Sequence, residues 1–130
     1  MNVLKCFALE NLIKHSHVKL AKIMAKQESP VLLIIGTRPE GIKMAPVYFA
    51  LKRAGIPTII CSTMQHDHLL QEVLDLFGIV PEITLNIMRP KQDLFYLTQS
   101  VLQKTKEVFL ATKPSLVLVQ GDTTSSIAAA

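Results

Sequence analysis

Apolar and polar positions change rhythm at Ser29-Pro30. Before that point, Leu4, Phe7, Ala8, Leu12 and later Leu20, Ile23 and Met24 recur near helical spacing among lysines, a pattern compatible with an amphipathic helix. After it, short apolar runs alternate with longer helical patterns. Val31 to Ile35 is a continuous β-branched and aliphatic run of the kind buried on both faces of a parallel sheet. A helix opening around Pro39 and running to Arg53 follows, closed at Gly55, with Pro46 expected to kink or restart it. Pro57–Cys61 reads as a second strand, and Leu69, Leu70, Val73, Leu74 and Phe77 as one face of a helix stopped by Gly78. Residues 82–87 suggest a short third strand, 92–112 the longest helix, and Leu116–Val119 another buried strand ahead of a last helix.

This β-α alternation predicts an α/β fold, a Rossmann-like parallel sheet with helices on both faces. Residues 1–29 are expected to be an extension, helical or disordered, and residues 30–130 a partial Rossmann-like domain. Ligands of such sheets bind beyond the carboxyl ends of the strands, where 36–40, 62–68 and 120–125 fall.

Charge changes this picture little. The chain carries a net +4, but residues 1–29 contribute +3 of it and residues 30–130 only +1. With no basic stripe interleaved with aromatics, a nucleic-acid partner is not expected. No apolar run reaches the ~20 residues of a spanning helix, so no membrane association is expected. Cys6 and Cys61 lie far apart, and Cys61 sits in an apolar run, which fits a reducing cytoplasm better than a disulfide framework.

Candidate chemistry concentrates in three segments. In Gly36-Thr37-Arg38-Pro39-Glu40, a glycine and a helix N-terminus present unpaired N–H groups, Arg38 adds a planar cation suited to phosphate, and Lys43 adds a point charge one turn on. The competing reading pairs Arg38 with Glu40 or another surface acid. In Gln120-Gly121-Asp122-Thr123-Thr124-Ser125-Ser126, a carboxylate among hydroxyls faces the same crevice, and Asp122 is either a site residue or the N-cap of the last helix. In Ser62–His68, His66 and His68 are two apart and lack a third ligand. No metal is expected there or at His15 and His17. The phosphate loop GxxxxGK[ST], the dinucleotide fingerprint GxGxxG and the hydrolase elbow GxSxG are all missing from the 130 residues.

Three motifs together, Gly36-Thr37-Arg38-Pro39-Glu40-Gly41-Ile42-Lys43-Met44-Ala45-Pro46, Thr63-Met64-Gln65-His66 and Val119-Gln120-Gly121-Asp122-Thr123-Thr124-Ser125, resemble the non-hydrolysing UDP-N-acetylglucosamine 2-epimerases. Phe77–Pro81 and Leu85–Pro90 resemble that family's linking segments. The resemblance covers residues 31–130. It implies the amino-terminal part of a two-domain, GT-B-like enzyme with the nucleotide-binding second domain absent, and little activity for this chain by itself. It implies interconversion of UDP-GlcNAc and UDP-ManNAc through UDP elimination and re-addition, no cofactor, and a homodimeric full-length parent.

By the same resemblance Arg38, with Gly36, Thr37, Pro39 and Glu40, binds substrate. Lys43 lies near the reacting centre, and Asp122 serves in acid/base catalysis or positioning. Gln65, His66 and Lys91 fall where some members hold a second, regulatory UDP-GlcNAc. Gly41 stands in place of the usual alanine, at a helix cost of about 1 kcal/mol. Met64 replaces a small residue, and Lys91 stands where regulated members carry arginine. The alternatives are the hydrolysing branch of the family, which releases ManNAc and UDP, and a non-catalytic sugar-nucleotide-binding or partner-binding module.

Overall fold

The computed structural model describes residues 29–64, 67–87, 89 and 93–130. Strands β1 (Val31–Ile35), β2 (Thr58–Ser62), β3 (Ile83–Thr84) and β4 (Leu116–Leu118) alternate with helices α1 (Arg38–Arg53), α2 (Asp67–Phe77), α3 (Leu94–Thr112) and α4 (Thr124–Ala129). The sheet order is β3-β2-β1-β4 and every pairing is parallel. The α/β architecture expected from the sequence is therefore present. The chain steps from β1 outward to β3, then returns through α3 to place β4 on the other flank of β1. The loops after β1 and β4 thus leave the sheet at the point where strand order reverses, which is where parallel sheets open a crevice.

Period-two alternation along β1 sorts its side chains between two cores. Val31, Leu33 and Ile35 pack with Met44 and Ala45 of α1 and Leu70 and Leu74 of α2. Leu32 and Ile34 pack with Leu97, Val101 and Val108 of α3 and Ala128 and Ala129 of α4. All five β1 residues are buried, as a strand covered by helices on both faces requires.

Several local expectations shift. Pro46 lies inside α1 on an exposed position, and the helix is continuous through it to Arg53. Leu69 is turned outward instead of into the core. The third strand shrinks to two residues: Glu82 turns to accept the Ile60 N–H at 2.7 Å, and Asn86 takes a left-handed φ of 46°. Leu116–Leu118 is an edge strand and only partly covered, not the buried one expected. Its single partner among the described residues is β1. The glycine at position 41 has a packing role as well. A methyl group there would come within 2.9 Å of Leu70 Cδ1 and 3.3 Å of Val73 Cγ1, so the missing side chain sets how closely α2 approaches α1.

Cys61 is a free, fully buried thiol in β2, and burial pushes its pKa from 9.0 up to about 12. The folded form holds this proton more tightly than the unfolded form. The contribution is complete below pH 9 and is lost as pH rises through the folded value, by at most about 1.4 kcal/mol per pH unit. Urea unfolding of wild type and Cys61→Val at pH 8 and pH 10 is expected to show a larger fall for wild type. Equal falls would mean that the thiol is not desolvated.

Candidate active site

The turn between β1 and α1 is built around a buried carboxylate. Glu40 is 2% exposed. Its Oε2 accepts the N–H of Gly36 at 2.6 Å and of Thr37 at 3.1 Å. This contact is the glutamate half of a capping box, whose Thr-x-x-Glu spacing is visible in the sequence. Thr37 Oγ1 is buried and has no hydrogen-bond partner among the described residues. The two amides that the sequence offered to an external anion are therefore already filled by a side chain of the same turn.

The other carboxylate oxygen reaches across the sheet edge. Thr123 Oγ1 donates to Glu40 Oε1 at 2.6 Å, and Ser126 Oγ lies 3.1 Å from the same oxygen. Ser126 has one hydroxyl proton for two acceptors, and the carbonyl of Gln120 at 2.8 Å is the nearer. Thr123, not Asp122, is the N-cap of α4, its Oγ1 accepting the Ser126 N–H at 3.2 Å. Gly121 makes the preceding turn at a φ of 96°, a conformation that favours glycine. Asp122 is left exposed. The capping alternative for Asp122 is thereby removed, and Glu40 is buried while Arg38 is exposed, with no ion pair between them among the described residues.

A third turn joins the same cluster. Thr63, directly after β2, shares a 2.9 Å hydrogen bond with Ser125, and both are buried. Gly36 lies against this pair, and a β-carbon on it would overlap Thr63 Oγ1 and sit 2.9 Å from Ser125 Oγ. The turns after β1, β2 and β4 thus meet in one polar junction beneath the carboxyl edge of the sheet.

Seen residue by residue, the expected site divides in two. Arg38, Pro39 and Asp122 are exposed where the turns after β1 and β4 leave this edge, and Lys43 is exposed further along α1. Gly36, Thr37 and Glu40 were expected to touch substrate but are buried in the junction below, where the Glu40 carboxylate takes the amides of Gly36 and Thr37. Gln65, His66 and Lys91 lie outside the described residues. Elsewhere, the Arg89 guanidinium stacks over the Tyr96 ring, 4.6 Å from its centroid. Sequence reading did not anticipate the hydroxyls of Thr63, Thr123, Ser125 and Ser126 as a joint between turns. The clustering of Thr123, Ser125 and Ser126 after Gly121 was a local sign for those three, and Thr63 carried none. No described helix is long and apolar enough to cross a membrane.

Residues 49–130 match the family model for UDP-N-acetylglucosamine 2-epimerase. The UDP-N-acetylglucosamine 2-epimerase of Escherichia coli K12 is 48% identical over 99 residues, which is 75% of this chain and 26% of that protein. Among solved structures, the UDP-GlcNAc 2-epimerase of Neisseria meningitidis bound to UDP-GlcNAc aligns with a TM-score of 0.71 at 44% identity, over 77% of this chain and 28% of that one. The Methanocaldococcus jannaschii enzyme in complex with UDP-GlcNAc and UDP aligns with a TM-score of 0.72 at 32% identity, over 77% and 28%. The chain spans about a quarter of the length of the curated relatives it matches. With residues 49–130 matched by the family model and the parallel sheet shared with these solved structures, the chain belongs to the UDP-N-acetylglucosamine 2-epimerase family.

Proposed function

We propose that residues 30–130 form the amino-terminal Rossmann-like part of a UDP-N-acetylglucosamine 2-epimerase that interconverts UDP-GlcNAc and UDP-ManNAc. The observation that carries this reading is the exposure of Arg38 and Asp122 on two turns of one sheet edge, held from below by a shared polar junction, with Lys43 exposed further along α1.

The reaction makes demands that fit these groups. A base removes the C2 proton while the C1–O bond breaks and UDP leaves with the bonding electrons. A glycal remains, and re-addition of UDP with protonation of C2 on the other face completes the inversion. Sugar C2–H is barely acidic, so departure of the leaving group carries much of the barrier. Arg38, permanently charged and bidentate, suits the diphosphate whose charge develops as that bond breaks. Lys43 adds a second cation one turn further along α1. Asp122 is assigned to proton transfer or to holding the sugar for it. Gln65, His66 and Lys91 are assigned to a second, regulatory UDP-GlcNAc.

In a protein of the relatives' full length, Arg38→Ala is expected to lower kcat/KM for UDP-GlcNAc by about 10²-fold or more, the scale of losing one donor to developing charge. Solvent deuterium is expected to enter C2 of the product. An Arg38→Ala enzyme with unchanged kcat/KM would overturn the assignment, and free ManNAc as product would move the protein to the hydrolysing branch. The 130-residue chain alone is expected to catalyse no C2 exchange, because one side of a crevice cannot enclose the substrate.

A further inference from the structure

We propose that Glu40 is a positioning residue and not a substrate ligand: its carboxylate ties the β1–α1 turn to the β4–α4 turn and so sets the spacing between Arg38 and Asp122. Oε2 holds the amides of Gly36 and Thr37 on one turn, and Oε1 holds Thr123 Oγ1 on the other, across 83 positions of sequence. A carboxylate can do this because each oxygen accepts more than one donor. Aspartate is one methylene shorter and loses reach. Glutamine puts a donor where donors already point on one of the two sides.

The geometry also says what the tie controls. Arg38 follows Thr37 directly and Asp122 precedes Thr123 directly, so each exposed group lies one residue from a backbone or side-chain atom that Glu40 holds. The Thr63–Ser125 bond adds a second fastening, and Gly36 leaves no room for the turns to slide past each other. Movement of either turn is therefore transmitted to the other through Glu40. The effect of this tie on nucleotide binding rests on the function proposed above, whereas the tie itself does not.

The test uses the ¹⁵N-labelled chain. Thr123→Val is expected to move the amide resonances of Gly36 and Thr37, and Thr123→Ser, which restores the hydroxyl, is expected to return them close to wild-type positions. In a Glu40→Gln background the same Thr123→Val change is expected to move them far less, since the two residues act as one unit. Thr123→Val also removes the cap of α4, and the Glu40→Gln background separates the two effects, because loss of the cap would act equally with or without the carboxylate. Unmoved Gly36 and Thr37 amides in Thr123→Val, or an equal shift in both backgrounds, would overturn the proposal.

UDP is then titrated into the wild type and Glu40→Gln of a protein of the relatives' full length. Resonance changes at Arg38 and Asp122 are expected to saturate in both, with roughly tenfold weaker affinity in the variant, the order of a coupled buried network. Equal affinity would overturn the claim that the tie sets the binding geometry. Wild-type resonances that do not respond to UDP would count against the proposed function, while the tie would stand or fall on the Thr123 cycle.

Discussion

Gly36→Ala is expected to destabilise the chain by about 2–4 kcal/mol, the sum of overpacking and a broken buried hydrogen bond. The reason is space, since an added β-carbon would overlap Thr63 Oγ1 and crowd Ser125 Oγ and Cβ. Both neighbours are buried and bonded to each other, so neither yields without exposing or orphaning a hydroxyl. The check is a double-mutant cycle by urea unfolding. Thr63→Ala alone costs something for its lost hydrogen bond, but it removes the overlapping atom, so Gly36→Ala is expected to cost at least 1 kcal/mol less in that background. Additive costs would show that the crowding at Gly36 comes from elsewhere.

The second large effect separates the centre of the sheet from its flank. Ile34 is 1% exposed and packs against α3 and α4, so Ile34→Ala is expected to cost about 3 kcal/mol through lost burial and the cavity left behind. Leu116, 41% exposed on β4, is expected to cost under about 1 kcal/mol on the same change. Unfolding midpoints of the two variants decide the matter. A Leu116→Ala loss as large as that of Ile34→Ala would mean that β4 is covered in solution by something beyond the described residues.

Periodicity made β1 and both ends of α1 legible, because Val31–Ile35 is apolar throughout and Pro39 and Gly55 bracket the helix with residues whose backbone demands are local. It served less well where a neighbour decides the outcome. An apolar run such as Leu116–Val119 looks the same whether one or two strands flank it. The end of α3 carried no glycine, yet Lys113 adopts the left-handed cap at a φ of 45° with Pro114 behind it. The candidate site showed the same division. Arg38, Lys43 and Asp122 stood out as charged groups at expected strand ends. The Thr-x-x-Glu spacing announced the near half of the Glu40 contacts, but its far half belongs to Thr123 and Ser126, and nothing local to residue 40 identifies a partner that distant.

The central place of β1 bears on the order in which the chain acquires its structure. Val31 pairs with Thr58 on one side and with Leu116 on the other. The first pairing closes a short loop spanned by α1, whereas the second must wait for a much longer stretch to come together, at greater entropic cost and a slower rate. Until β4 docks, one edge of β1 stays open to pairing with another molecule, and the Glu40 carboxylate lacks half of its partners. Weak docking of β4 is therefore expected to appear first as concentration-dependent self-association during refolding, ahead of any change in the spectroscopic signature of the helices.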